Sequence, residues 1–142
     1  MTPLLPSRHP LRAHVAPSIH RGAALFVGVG GAAGAGCRWA LGTALPHPGG
    51  WPLPTLAANV AGCLLLGVIA ARLPFLAGLG MHLGRDGLAT GFCGGLTTFS
   101  TFSVELAQLL RDHRPGVAAG YLAASLVTGY LAFVGGRRAG AA

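Results

Sequence analysis

Four stretches of this chain, about residues 22–45, 53–73, 84–110 and 116–136, each come close to the roughly 20 apolar residues that cross the hydrocarbon core of a bilayer. No other feature constrains the fold as strongly. In lipid the backbone has no water to bond, so a spanning segment of this kind must be a helix that satisfies its own N–H and C=O groups. The composition agrees, because 9% charged against 52% hydrophobic residues leaves too little charge to cover a water-facing surface. The segments between the runs carry loop chemistry: "PHPGGWP" at 46–52, "RLPF" at 72–75 and "RDHRPG" at 111–116. Loops this short make successive helices antiparallel neighbours. The expected organisation is a leader at 1–21, one all-α membrane domain at 22–138 and a short tail at 139–142. The leader, with four prolines and three histidines in its first twenty residues and no apolar run fit for a signal peptide, reads as disordered.

A net charge of +7 would point to nucleic acid in a water-soluble protein. Here the ten basic residues are all arginines, and most sit at span ends, where they face phosphates and headgroups, so no nucleic-acid partner is expected. With the N-terminus inside, Arg8, Arg12, Arg21, Arg72, Arg85, Arg137 and Arg138 share one side against Arg111 and Arg114 on the other. Cys37, Cys63 and Cys93 fall one to a span, without CxxC spacing or a nearby histidine, and read as small apolar filler. No nucleophile, base and orienting group converge, so the chain does not read as an enzyme.

The glycine run "GVGGAAGAGCRW" at 28–39 lacks the strand and the GK[ST] ending of a phosphate loop. Its Gly30-x-x-x-Gly34 spacing suits close helix packing, and the same spacing at Gly87, Gly91 and Gly95 predicts close approach of the third span to a neighbour. Arg38 either snorkels to the interface or lines an aqueous vestibule. Asn59, deep in the second span, is either an interhelical hydrogen-bond link or a source of two N–H donors for an anion.

The third span holds the most unusual segment, "GFCGGLTTFSTFSVE" at 91–105, with five hydroxyls, three phenylalanines and a glutamate. Gly94-Gly95 followed by Thr97-Thr98 is poor helix material and predicts a helix broken near its middle. Broken backbone in a membrane is tolerated where it is buried in protein or lines a cavity, and it is a recurrent way of building an ion site. Phe99 and Phe102 share one face, with Ser100 and Thr101 between them; aromatic stripes of this spacing are usually core. Glu105 costs on the order of 2.5–3.5 kcal/mol near a span centre and must face protein or water. In the fourth span Ser125 and Thr128, one turn apart, either extend a polar track or bond their own helix.

This motif, with Asn59 to Gly62 as "N-x-x-G" and the "GAGCRW" around Arg38, resembles the CrcB/Fluc family of fluoride channels over about residues 22–136. The resemblance implies a four-span antiparallel, dual-topology homodimer in the cell (inner) membrane, with two fluoride pores and a central structural sodium ion. By motif position it implies that Asn59, Phe99, Ser100, Thr101, Phe102, Ser125 and Thr128 line the fluoride pore. It likewise implies that Arg38 lies at a vestibule and that the backbone carbonyls of Gly94 and Thr97 hold the sodium. The physics suits fluoride, whose tight hydration shell must be replaced by close N–H, O–H and aromatic-edge donors that still release it. The alternative is a small four-span proton-coupled multidrug exporter using Glu105, against which Asp86 and Asp112 lie at span ends. A non-transporting assembly protein would need neither Asn59 nor a broken helix.

Overall fold

The computed structural model describes residues 21–76 and 82–142, and every regular element among them is helical. The expected leader lies almost wholly outside the described residues. In chain order the helices are α1 (Arg21–Ala44), α2 (Leu53–Leu76), α3 (a wide i→i+5 winding over His82–Cys93 that tightens into Gly94–Leu96), α4 (Phe99–Arg111) and α5 (Pro115–Ala141). Among the described residues three segments, Gly22–Ala44, Leu53–Arg72 and Pro115–Ala141, are long and apolar enough to cross a membrane as single helices. The third expected span is the α3–α4 pair, interrupted between Leu96 and Phe99.

Two boundaries differ from the sequence expectation. The "RLPF" segment is not a break, since α2 runs through it to Leu76; Pro74 forfeits one backbone hydrogen bond, a local loss that the remaining ladder absorbs. The last helix outlasts residue 136 and reaches Ala141. Its end is held against α2, where Arg72 Nε donates to the Gly140 carbonyl at 3.0 Å.

Glycines set the helix pairing. A Cβ on Gly34 would lie 2.7 Å from the Leu96 nitrogen, and one on Gly91 would lie 2.8 Å from the Val27 carbonyl, so α1 and α3 pack backbone against backbone. The close approach expected at Gly30, Gly34, Gly91 and Gly95 is therefore one shared seam, and the partner of each stripe is the other. A second seam joins α2 to α5. Added Cβ atoms at Gly67 and Gly140 would come within 2.9 Å of the Arg137 nitrogen and the Val68 carbonyl respectively. Residue order along the two seams makes α1 parallel to α3 and α2 parallel to α5, as an up-and-down bundle with short loops requires.

The loops lock the same arrangement at one end. Gly49 and Gly50 take φ of 59° and 78° in the turn before α2, a conformation that favours glycine, and Arg114 Nη2 donates to the Gly49 carbonyl. Pro115 opens α5 in the first helical turn, where its missing N–H costs nothing. Between α4 and α5 the buried core consists of Phe102, Leu109, Ala118 and Tyr121, with Trp51 and Leu56 packed against it.

Candidate functional site

The interruption is confined to two threonines. Thr97 (φ −80°, ψ 156°) and Thr98 (φ −150°, ψ 119°) are extended, a backbone region that β-branched residues occupy readily. Gly94 and Gly95 stay helical. The break is held by Asn59, whose Nδ2 donates to the Thr98 carbonyl at 3.2 Å and whose Oδ1 accepts from the Thr98 N–H at 2.8 Å. The asparagine amide thus pairs with both backbone groups of one residue, Thr98, as a neighbouring strand would. Thr98 also caps α4, its Oγ1 accepting from the Thr101 N–H at 3.1 Å.

These bonds determine which carbonyls are released. In an uninterrupted helix the Thr98 N–H would serve Gly94 O, and the Thr101 N–H would serve Thr97 O. The first is given instead to Asn59 and the second to the Thr98 side chain. Thr97 keeps its own N–H and hydroxyl on the Cys93 carbonyl, at 3.0 and 2.9 Å. The Gly95 carbonyl accepts from Arg38 Nε at 3.2 Å. Arg38 therefore neither snorkels freely nor stands apart, but ties α1 to the last turn of α3, next to the break.

Two cavities flank the break, and Thr98 lines both. The first, of about 470 Å³, gathers Asn59 from α2, Phe99 and Phe102 from α4, Ser125 from α5, and Gly94 and Thr97 from α3 and the break. Among the described residues no charged side chain lines it. The Phe99 and Phe102 rings lie 6.0 Å apart. The Ser125 hydroxyl is buried and has no hydrogen-bond partner among the described residues, so it is an O–H donor held in reserve at the cavity wall.

The second cavity, of about 550 Å³, is lined by Arg38, His47, Thr55, Thr101 and Glu105 among others. The Glu105 carboxylate accepts from the Thr55 hydroxyl at 2.7 Å and from the Tyr121 hydroxyl at 2.8 Å. Tyr121 is fully buried, edge-on to Trp51 and 5.1 Å from the Phe102 ring. Glu105 is thereby fixed by two neutral donors from two other helices.

Not every residue expected at the pore falls in the first cavity. Thr101 lines the second. Ser100 is exposed, its Oγ 3.2 Å from Thr98 Oγ1. Thr128 is exposed, and its hydroxyl donates to its own helix at Ala124 O, 2.5 Å away, which is the local bonding that hydroxyls in lipid-facing helices adopt. Thr55 and Tyr121 escaped the sequence reading. A carboxylate inside a span demands donors, but the register that brings α2 and α5 to Glu105 is a tertiary fact with no spacing signature.

Comparison with known proteins decides the family. A family model described as "CrcB-like protein, Camphor Resistance (CrcB)" matches residues 25–137. The chain belongs to the CrcB family. It is 49% identical over 102 residues to the fluoride-specific ion channel FluC of Bordetella avium, covering 72% of this chain and 79% of that one. It is 46% identical over 110 residues to FluC of Chlorobium phaeobacteroides, with 77% and 85% covered. To FluC 2 of Bacillus subtilis it is 44% identical over 117 residues, with 79% and 86% covered. In this CrcB chain the matched region begins inside α1 and ends near the end of α5, so it takes in the break and both cavities.

Proposed function

We propose that this chain forms a membrane channel through which fluoride leaves the cytoplasm by passive electrodiffusion. The observation that carries the proposal is the uncharged cavity that brings an amide, two aromatic rings and an unpartnered hydroxyl together from three helices. The relatives named as fluoride-specific channels supply the identity of the ion.

Fluoride entering such a cavity must exchange water for donors of comparable reach. Asn59 Nδ2 carries two hydrogens, and Thr98 O takes one. The second, with the Ser125 hydroxyl and the electropositive edges of Phe99 and Phe102, makes a donor set without a formal positive charge. Such a set binds weakly enough to release the ion, as conduction requires. Arg38 and the Glu105 network lie across the break, where Arg38 raises the local anion concentration. Because Glu105 is held by Thr55 and Tyr121, the proposal leaves it a fixed structural group with no proton cycle.

The proposal includes an antiparallel homodimer in the cell inner membrane. In its support, Phe99 is 80% exposed in the single chain, whereas a ring that offers its edge to an ion needs a wall behind it. Leu25, Val29 and Trp39 on α1 are likewise exposed. The carbonyls of Gly94 and Thr97, whose helical donors are diverted, suit a hard cation that takes oxygen ligands. They would hold sodium between two copies, where it would neutralise backbone oxygens and join the subunits. The seven arginines counted on one side against two favour a single orientation. The proposal nevertheless expects both orientations, because only oppositely inserted copies bring two such breaks to one in-plane axis. A single cysteine at Ala142, in a chain with Cys37, Cys63 and Cys93 replaced, tests this: an impermeant thiol reagent labels about half the copies before permeabilisation if topology is dual, and almost none or almost all if it is not.

The functional test is fluoride release from liposomes containing the purified protein, followed with a fluoride electrode. Release of fluoride with chloride retained supports the channel. Drug-dependent proton uptake without fluoride release would replace it with the exporter.

A further inference from the structure

The wall of the first cavity contains two thiols that the conduction of fluoride does not require. Cys63 and Cys93 both line the cavity, from α2 and α3 respectively, while Cys37 is exposed on α1. The register of the two walls places the thiols at neighbouring levels. Asn59 is bonded to Thr98, a Cβ on Gly62 would meet the Thr97 side chain, and the lining then continues through Cys63 and Leu66 on α2 as it does through Cys93 and Ala89 on α3. The Cys63 sulfur packs beside Gly129 of α5, 3.5 Å from where a Cβ on that glycine would stand.

We infer that Cys63 and Cys93 form a soft-metal site in the wall of this cavity, taking a monovalent cation of the silver(I) or copper(I) class, and that its occupancy blocks anion passage. The inference of block rests on reading the cavity as the fluoride path; the metal site itself does not. Soft thiolate ligands select such cations, whereas the hard carbonyl oxygens of Gly94 and Thr97 do not, so the two cation sites sort by ligand chemistry. Binding is a proton-releasing exchange. Each thiol gives its proton to water, and each sulfur donates one lone pair to the metal. One silver(I) and two thiols thus yield an S–Ag–S unit bearing a single negative charge, plus two protons. No electron is transferred. A bulky anionic unit in a cavity with no other charged side chain among the described residues excludes fluoride by size and by repulsion.

The test uses silver nitrate in chloride-free buffer on the intact protein in liposomes, each variant compared with its own untreated rate. Micromolar silver should slow fluoride release of wild type and of Cys37→Ala by about tenfold or more, while the Cys63→Ala/Cys93→Ala double variant keeps most of its rate. A double variant inhibited as strongly as wild type, or a wild type insensitive to silver, overturns block at this site. A second measurement on wild type needs neither the variants nor transport. Supplied at one equivalent per chain, silver should protect Cys63 and Cys93, which share it, from alkylation by a small permeant maleimide, read residue by residue by mass spectrometry, and leave Cys37, which offers a single sulfur, reactive. Equal alkylation of all three cysteines with and without silver overturns the metal site. If untreated wild type releases no fluoride while Cys63 and Cys93 are protected, the channel reading fails and the metal site stands.

Discussion

Removing the Asn59 side chain tests whether the break between α3 and α4 is held as described. Asn59→Ala deletes two hydrogen bonds at once and leaves the Thr98 N–H and C=O without their partner in a partly buried segment. A buried backbone group left unpaired costs about 1–3 kcal/mol, so full burial would give about 2–6 kcal/mol for the pair. Asn59 and Thr98 are only half-buried and the adjoining cavity admits water, which places the expected loss near the bottom of that range, at about 2 kcal/mol. Asn59→Asp separates structure from permeation. It keeps an acceptor for the Thr98 N–H but sets a carboxylate oxygen where the donor to Thr98 O stood, and it adds a charge that repels anions. Equilibrium unfolding in mixed SDS–detergent micelles should show the loss for Asn59→Ala, and fluoride release from liposomes should fall further for Asn59→Asp than for Asn59→Ala. An Asn59→Ala protein within about 0.5 kcal/mol of wild type, the scatter of unremarkable surface substitutions, would refute the clamp.

Phe99→Ile and Phe102→Ile should slow fluoride release severely while the protein still elutes as wild type does, since each removes an electropositive ring edge and little apolar volume; unchanged flux in both would sink the assignment of the rings. Thr97→Ser should be mild, because the proposed sodium ligand at this position is a carbonyl, whereas Gly94→Val, placing a β-branched side chain at the start of the last helical turn before the break, should weaken assembly on size exclusion. Comparable behaviour of the two would argue against a carbonyl site there. Tyr121→Phe leaves Glu105 with Thr55 as its one remaining hydroxyl donor among those described and should cost about 1.5–3 kcal/mol, the range for hydrogen bonds to charged groups, in the same unfolding assay; a loss confined to flux with stability intact would instead make Tyr121 part of the ion path.

What the sequence made legible was local. Glycines at a spacing of four announced a helix seam, and the α1–α3 contact shows that the two stripes are complementary halves of it. The Gly-Gly and Thr-Thr pairs announced an interruption, yet the glycines remain helical and the threonines carry it, because Asn59 supplies partners for both backbone groups of Thr98. That choice depends on another helix and is invisible to propensity. The proline in "RLPF" suggested a boundary on a local argument that the helix overrides. Ser125 could be singled out as a polar residue in an apolar run, and the structure brings it to the cavity. Thr128, three residues further, turns instead to its own backbone. The partners of Glu105 could not be found at all without the register between α2, α4 and α5.

The most direct measurement of the central claim is the reversal potential of the purified protein in planar bilayers under a fluoride gradient. If the uncharged cavity passes fluoride passively, current reverses at the fluoride equilibrium potential, moves by about 59 mV for each tenfold change in the fluoride ratio, and ignores added chloride and a pH gradient. A reversal potential that follows protons or chloride, or the absence of any fluoride current from folded protein, would contradict it.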